Sequence, residues 1–180
     1  MGRKGPYGVC VRTAIADVDG NGRNVLVMCD ADIERSSMVV RRSPDGRGAT
    51  WTKQELPQSF EYGSLHSLAV ADFNGDGRVD IVSNEQEELL PGGRTDPRWV
   101  LWESLGGGRF VERVLLDTRL GGHELQAGDV DGDGDVDLVS KAWGCLPWNG
   151  LGGKMHVDLL ENLLRSPTPA SEREPRPRKE

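Results

Sequence analysis

The chain has 180 residues, which suits one domain of ordinary size and argues against two complete domains. Hydrophobic residues make up 36% of the sequence, and its 24 glycines and 10 prolines favour many short elements over a few long helices. The net charge of −7 argues against a broad basic surface for nucleic acid, and no apolar run reaches the roughly 18 residues of a membrane-spanning helix. We also see no apolar stretch typical of a secretory signal at the N-terminus, and three cysteines are too few for a disulfide framework.

Three acidic segments recur along the chain. They begin at Asp17, Asp72 and Asp129, which lie 55 and 57 residues apart, and such a near-constant period is typical of a repeat architecture. Each segment is followed by a short run with apolar and β-branched residues, at 25–28, 80–83 and 137–140. Runs of this kind next to glycine-rich turns predict strands, so each unit is expected to begin as strand, acidic turn, strand.

A second hairpin follows in each unit, most clearly around the glycine-rich turn at 105–108. Four short strands per unit is the number in one blade of a β-propeller. The strand-borne Trp51, Trp99 and Trp102 are expected in the core. The predicted divisions are a lead-in (1–8), repeat 1 (9–64), repeat 2 (65–121), an incomplete repeat 3 (122–165) and a proline-rich tail (166–180) that we expect to be disordered.

The acidic segments carry oxygen-bearing side chains at alternate positions, counted from the first aspartate. Such positions on a curled loop suit Ca²⁺, which takes six to eight oxygen ligands from carboxylates, amides and carbonyls. The predicted ligands are Asp129, Asp131, Asp133, Asp135 and Asp137 in the third segment; Asp72, Asn74, Asp76, Asp80 and the carbonyl of Arg78 in the second; and Asp17, Asp19 and Asn21 in the first.

Two alternatives to calcium sites exist for these segments. Asp, Asn and Gly are common in solvated turns, but crowded carboxylates at a fixed period repel one another unless a cation offsets them. An EF-hand would place a glutamate at position twelve, where the sequence has Met28, Ser83 and Ser140. We therefore predict calcium sites of another type, with weak or no binding in the first segment, where Val25 stands at position nine.

These residues resemble the FG-GAP/VCBS repeat family, the blades of integrin-α-type β-propellers. The resemblance rests on the D-x-[DN]-G-[DN]-G-x-x-D pattern and the strand after it, at 72–82 and 129–139, with a degenerate copy from Asp17. It covers roughly residues 7–164 and implies calcium in the loops. A closed propeller needs at least four blades, so about three blades predict a fragment of a larger propeller, or closure by association. We expect the isolated chain to be unstable or oligomeric.

Candidate ligand-binding residues lie outside the acidic segments. Trp143, Trp148, Asn149 and Lys141 suit a sugar, because indole faces stack on C–H surfaces while amide and ammonium groups bond hydroxyls. Packing between blades is the alternative for these tryptophans. His66 and His123 each lie six residues before their aspartate, which indicates a shared structural task or, alternatively, a shared ligand face.

Family members serve in adhesion, in lectin-like carbohydrate binding or as scaffolds of polysaccharide lyases, and the fold does not choose among them. We expect a calcium-binding module for glycan or protein ligands, extracellular, periplasmic or at the cell surface, with the remaining blades of a parent propeller as further partners. A lyase using His66, His123, Lys141 and Arg94 is one alternative. A purely structural spacer is the other.

Overall fold

The computed structural model describes residues 10–32, 35–86, 90–118, 120–144, 147 and 151–165. These residues form β-strands and one short 3-10 turn at Pro91–Gly93. The strands are arranged in three antiparallel sheets, in the order in which they occur along the chain. The predicted all-β class is therefore confirmed. Within the described part of the chain, no helix is long and apolar enough to cross a membrane.

Each sheet is built from consecutive strands, so that neighbours in sequence are neighbours in space. Sheet 1 contains β1 (Cys10–Ala16), β2 (Val25–Asp32), β3 (Arg35–Arg42) and β4 (Thr52–Glu55). Sheet 2 contains β5 (Ala69–Ala71), β6 (Asp80–Asn84), β7 (Arg98–Ser104) and β8 (Phe110–Asp117). Sheet 3 contains, among the described residues, β9 (Glu124–Gly128), β10 (Asp137–Lys141) and β11 (Val157–Leu160).

Two hydrophobic clusters hold the sheets together. The first joins sheet 1 to sheet 2 and contains Val18, Val25, Val27, Cys29, Met38, Val40, Leu56, Tyr62, Leu65, Ile81, Val100, Trp102 and Phe110. The second joins sheet 2 to sheet 3 and contains Ala69, Val82, Trp99, Leu101, Leu125 and Leu138. Because successive side chains of a strand point to opposite faces, Ile81 and Val82 of β6 enter different clusters. Sheet 2 is covered on both faces, and every residue of β6 is buried.

The tryptophans on strands differ in their surroundings. Trp99 and Trp102 are fully buried, as expected for core residues, and their indole N–H groups donate to the carbonyls of Leu120 and Pro57. The expectation for Trp51 was wrong, because it precedes β4 and its side chain is 39% exposed. Trp51 lies beside a glycine-rich turn, where its Nε1 donates to the carbonyl of Gly48.

The first strands of the three sheets, β1, β5 and β9, lie next to one another. Each of them leads into an acidic segment at its C-terminal end. The residues before β5 and β9, among them His66 and His123, must therefore lie at the opposite end of the sheets. We call β1, β5 and β9 the inner strands. The acidic segments and the two histidines are thus separated by the length of these strands.

Candidate functional site

The acidic segments are called loop 1 (residues 17–25), loop 2 (72–80) and loop 3 (129–137). Each curls around its first aspartate, whose carboxylate accepts backbone hydrogen bonds from within the same loop. In loop 2, Asp72 accepts from Asp76 N at 3.1 Å and from Gly77 N at 2.8 Å. In loop 3, Asp129 accepts from Gly132 N at 2.6 Å and from Gly134 N at 3.2 Å.

The first aspartate of loop 1 is held in the same way. Asp17 accepts from Asn21 N at 3.1 Å and from Gly22 N at 2.6 Å. The hydrogen bond from Asn21, together with those from neighbouring amides, holds the pKa of the Asp17 carboxyl below its usual value. The curl requires left-handed backbone, which Gly132 and Gly134 provide in loop 3 with φ values of 84° and 91°.

The ninth position of loops 2 and 3 is a buried aspartate fixed from two sides. Asp80 accepts from Phe73 N at 3.2 Å and from Ser104 N at 2.8 Å, at the end of β7. Asp137 accepts in the same pattern, from Val130 N at 2.7 Å and from Asn162 N at 2.8 Å. Burial raises the pKa of Asp80, and the charges of Asp76 and Asp72 add to that shift. The buried carboxylate is therefore costly to ionise without a cation nearby.

Loop 3 has the strongest features of a metal site in the described part of the chain. Asp129, Asp131 and Asp137 each offer one carboxylate oxygen, and these oxygens lie within 4.8 Å of one another. Buried carboxylate oxygens with no hydrogen-bond partner lie on Asp131 (Oδ2), Asp133 (Oδ2) and Asp135 (Oδ1).

Ionised carboxylates can only accept, so these oxygens need a proton or a cation. Burial raises the pKa of Asp135, and the neighbouring charges of Asp133 and Asp137 raise it further. A divalent ion that prefers oxygen ligands fits this donor set.

Loop 2 is partly neutralised by its own arginine. The Arg78 guanidinium pairs with Asp76 and also donates from Nε to the carbonyl of Ser104 at 2.9 Å. Position three of this loop is the uncharged Asn74. Loop 2 therefore retains less negative charge for a metal than loop 3.

Loop 1 is neutralised by a residue from a neighbouring strand. Arg42 of β3 forms a two-pronged ion pair with Asp19, with Nε and Nη2 each 2.6 Å from a carboxylate oxygen. The Asp19 side chain is only 8% exposed. A protein cation thus compensates the carboxylate that sequence reasoning assigned to calcium. Val25, at position nine, packs in the first hydrophobic cluster.

At the opposite end of the inner strands, the rings of His66 and His123 stack, and the tilted ring of Trp143 lies beside that of His123. The centroids of His66 and His123 lie 4.1 Å apart with an interplanar angle of 22°. The centroid of Trp143 lies 4.3 Å from that of His123. The two histidines are held alike, since His66 N donates to Asn84 O at 3.3 Å and His123 N to Lys141 O at 2.9 Å. We call this group, with the adjacent Arg12 and Glu124, the axial cluster.

Arg12 and Glu124 are members of the axial cluster that sequence reasoning missed. Arg12 Nη2 lies 2.5 Å from Glu124 Oε1, and Arg12 Nε donates to the carbonyl of His66 at 3.4 Å. Glu124 Oε1 also lies 3.5 Å from His123 Nδ1. A signal was present, because Arg12 and Glu124 each stand five residues before the first aspartate of their loops. The cluster thereby joins all three sheets.

The surroundings of the two histidines disfavour their charged forms. Burial is the main cause that lowers the pKa of His66, and the Arg12 charge lowers it further. Burial also lowers the pKa of His123, with contributions from His66 and Lys141. Both rings are therefore neutral at pH 7.

Other candidate residues lie elsewhere or outside the described residues. Trp148 and Asn149 belong to the undescribed positions. Arg94 is engaged in the insertion before β7, where its Nη2 lies 2.6 Å from Oε1 of Glu85 and its Nη1 donates to the Asp96 carbonyl. The Glu85 side chain is fully buried and also accepts from Gly63 N and Arg98 N.

Comparison with known protein families matches the chain to the FG-GAP-like repeat, at residues 17–83 and 86–140. Together these segments cover most of the chain and contain all three acidic loops. Comparison with curated proteins returned no match.

Proposed function

Because the chain belongs to the FG-GAP-like repeat family, as its sequence resemblance indicated, we propose that it is a calcium-stabilised propeller module that binds a glycan at the axial cluster. The observation that carries the glycan proposal is the half-exposed indole of Trp143, whose ring lies 4.3 Å from that of His123, the residue next to the Arg12–Glu124 ion pair. A protein ligand at the same face is the alternative that the experiment below separates.

The calcium proposal rests on the unpartnered oxygens of loop 3. Residues Asp129, Asp131 and Asp137 would hold the ion, with Asp133 and Asp135 supplying further oxygens or negative charge. The ion would offset carboxylate repulsion and so stabilise the turn between β9 and β10. Loop 2 would bind more weakly, because Arg78 already pairs with Asp76.

The calcium affinity expected for these loops indicates where in or outside the cell the protein works. Extracellular calcium modules have dissociation constants of about 10⁻⁴ to 10⁻³ M, which would leave such sites empty in a cytosol. We accordingly propose that the protein works outside the cytosol or at a cell surface. Calcium titration tests this, since a dissociation constant near 10⁻⁸ M, as in cytosolic buffers, would contradict it.

The glycan proposal rests on the chemistry around Trp143. Its side chain is 46% exposed, and an indole face stacks on the C–H surface of a sugar ring. The guanidinium of Arg12, the carboxylate of Glu124 and the ammonium of Lys141 supply donors and acceptors for hydroxyl groups at the same end of the sheets.

Glycan-array binding followed by calorimetry on the best ligand tests this proposal. Trp143→Ala should weaken binding at least about tenfold, the loss expected for an aromatic anchor. Trp51→Ala is the matched control, because Trp51 is an exposed indole in the turn before β4, away from the axial cluster. Absence of binding to any glycan, or equal losses in both variants, would refute the proposal. Capture of a specific protein abolished by Trp143→Ala would favour the protein ligand instead.

Catalysis by a lyase mechanism is not part of the proposal. That mechanism needs a base and a charge-neutralising cation in one cleft, and the candidates for these roles were His66, His123, Lys141 and Arg94. The Arg94 charge is instead compensated by the buried Glu85. A depolymerisation assay on uronate polymers measures this alternative directly.

A further inference from the structure

Sheet 3 differs from the other two sheets at its outer edge. In sheets 1 and 2 the third strand pairs with a fourth, as β3 pairs with β4 and β7 with β8. Within the described residues of sheet 3, β11 pairs only with β10. An unpaired strand edge presents a row of backbone donors and acceptors that can accept another strand.

An apolar cavity of about 440 Å³ lies beside this edge, between sheets 2 and 3. Its lining includes Phe73, Val82 and Leu101 from the side of sheet 2, and Leu138, Leu160 and Leu163 from the side of sheet 3. The cavity is continuous with the interface that the second hydrophobic cluster forms.

The repeat relates this cavity to the filled interface between sheets 1 and 2. By loop position and strand pairing, Phe73, Val82 and Leu101 correspond to Val18, Val27 and Val40. Likewise, Leu138 and Leu160 correspond to Ile81 and Trp102. All five counterparts belong to the first hydrophobic cluster.

Phe110 is a further member of the first cluster, and it comes from a fourth strand. Phe110 of β8 is 8% exposed and pairs with Ser104 of β7. The counterpart of Ser104 in the third unit is Asn162, because both donate their backbone N–H to the ninth residue of the loop. No described residue of sheet 3 corresponds to Phe110. The replacement of Trp102 by the smaller Leu160 widens the space further. The missing contacts are thus those of an aromatic side chain on a strand next to β11.

We propose that the edge of β11 and the adjoining cavity form a docking site for a strand of a second polypeptide, with a large aromatic side chain that enters the cavity. The chain's own residues 166–180 have the wrong chemistry, since they include four prolines and no large apolar residue. The sequence of β8, which begins with Phe110 and continues with a mixture of apolar and polar residues, describes the expected strand.

The experiment uses the complete chain and a labelled peptide with the sequence of residues 108–117, which contains β8, read by fluorescence anisotropy. We expect saturable binding with one peptide per chain. The Phe110→Ala version of the peptide should bind about tenfold more weakly or worse. Two further peptides, N-methylated at alternate residues, test strand pairing. Only alternate N–H groups of an added strand face its neighbour. The peptide methylated at the N–H groups that face β11 should therefore lose binding, whereas the other peptide should bind as well as the unmodified one.

A pair of protein variants places the peptide on the molecule. Leu163 is 76% exposed and lines the cavity, so Leu163→Glu should weaken binding without unfolding the chain. Leu105 is its counterpart in sheet 2 and is 43% exposed, so Leu105→Glu should leave binding unchanged.

Several results would overturn the proposed docking site. One is the absence of saturable peptide binding, and another is an equal loss of affinity in the two N-methylated peptides. A loss with Leu105→Glu alone would mean that the peptide exchanges with β8. Finally, if deletion of residues 166–180 raised the affinity more than about tenfold, the chain's own tail would be the occupant.

Discussion

Asn162 donates a hydrogen bond from its side-chain Nδ2 to the backbone carbonyl of Phe73 at 2.7 Å, and so links sheet 3 to loop 2. The backbone N–H of Asn162 donates at the same time to Asp137 of loop 3. In sheet 2, Ser104 makes the two corresponding hydrogen bonds, since its N–H donates to Asp80 and its hydroxyl to the carbonyl of Val18 in loop 1. Loops 1 and 2 are therefore each tied to the next repeat unit.

Asn162→Ala should lower the free energy of unfolding by about 1–2 kcal/mol, because the Phe73 carbonyl loses its donor at a partly buried site. Urea denaturation measures this change. Asn24→Ala, at an exposed position, should stay within about 0.5 kcal/mol of the native chain. Equal changes in the free energy of unfolding of the two variants would show that the hydrogen bond from Asn162 to Phe73 does not stabilise the fold.

Calcium affinity should fall from loop 3 to loop 2 to loop 1. The reason is that available anionic oxygens decrease in that order, through Arg78 in loop 2 and Arg42 in loop 1. Calorimetry on Asp129→Ala, Asp72→Ala and Asp17→Ala should show the largest loss of binding heat for the first and little change for the last. Similar losses from all three variants would contradict the ranking.

Chelation should lower the melting temperature. A ligand that binds only the folded chain stabilises it by RT ln(1 + [L]/Kd), about 2.7 kcal/mol at a hundredfold excess over Kd. Differential scanning calorimetry with calcium and with EDTA measures the shift. The Asp131→Asn variant serves as control, and its melting temperature should respond less to calcium. An unchanged melting temperature, with no calcium found by metal analysis, would mean that the loops are only acidic turns.

Arg42→Gln should destabilise the fold by about 2 kcal/mol, because it leaves the largely buried Asp19 carboxylate without its cation. Arg47→Gln removes a charge from the exposed turn that follows β3 and should have little effect. Thermal unfolding of both variants tests the difference. If Arg42→Gln were as stable as the native chain, the ion pair would not be what neutralises loop 1.

Acidification should destabilise the chain through the axial histidines. Burial keeps the pKa values of His66 and His123 below the ordinary value of 6.5. Below pH 6.5 the unfolded chain therefore takes up protons that the folded chain does not, and stability falls until the lower, folded pKa values are passed.

Urea unfolding at pH 7.5 and pH 5 measures this loss. The double variant His66→Gln, His123→Gln should lose less stability between these two pH values than the native chain. The same loss in both proteins would assign the pH dependence to other groups.

Much of the fold could be predicted from the sequence, because most contacts within each repeat unit join residues that are close in sequence. The turn residues and apolar runs of each unit lie within one short segment, and consecutive strands pair with one another. Within each loop, the bonds to the first aspartate also join residues at most five positions apart, as with Asp17 and Gly22. Such contacts depend on residue order alone, so the period of the acidic segments was sufficient to predict them.

Contacts between distant segments were decided only by the tertiary structure. Arg42 and Asp19 lie 23 positions apart, Phe73 and Asn162 lie 89 apart, and Arg12 and Glu124 lie 112 apart. No local pattern marks Arg42 as the cation of loop 1, because its position depends on the pairing of β3 with β2. The stacking of His66 on His123 likewise requires two sheets to pack with their inner strands adjacent. The sequence alone determined which residues form the acidic loops, whereas the pairing of β3 with β2 determined that Arg42 compensates Asp19 of loop 1.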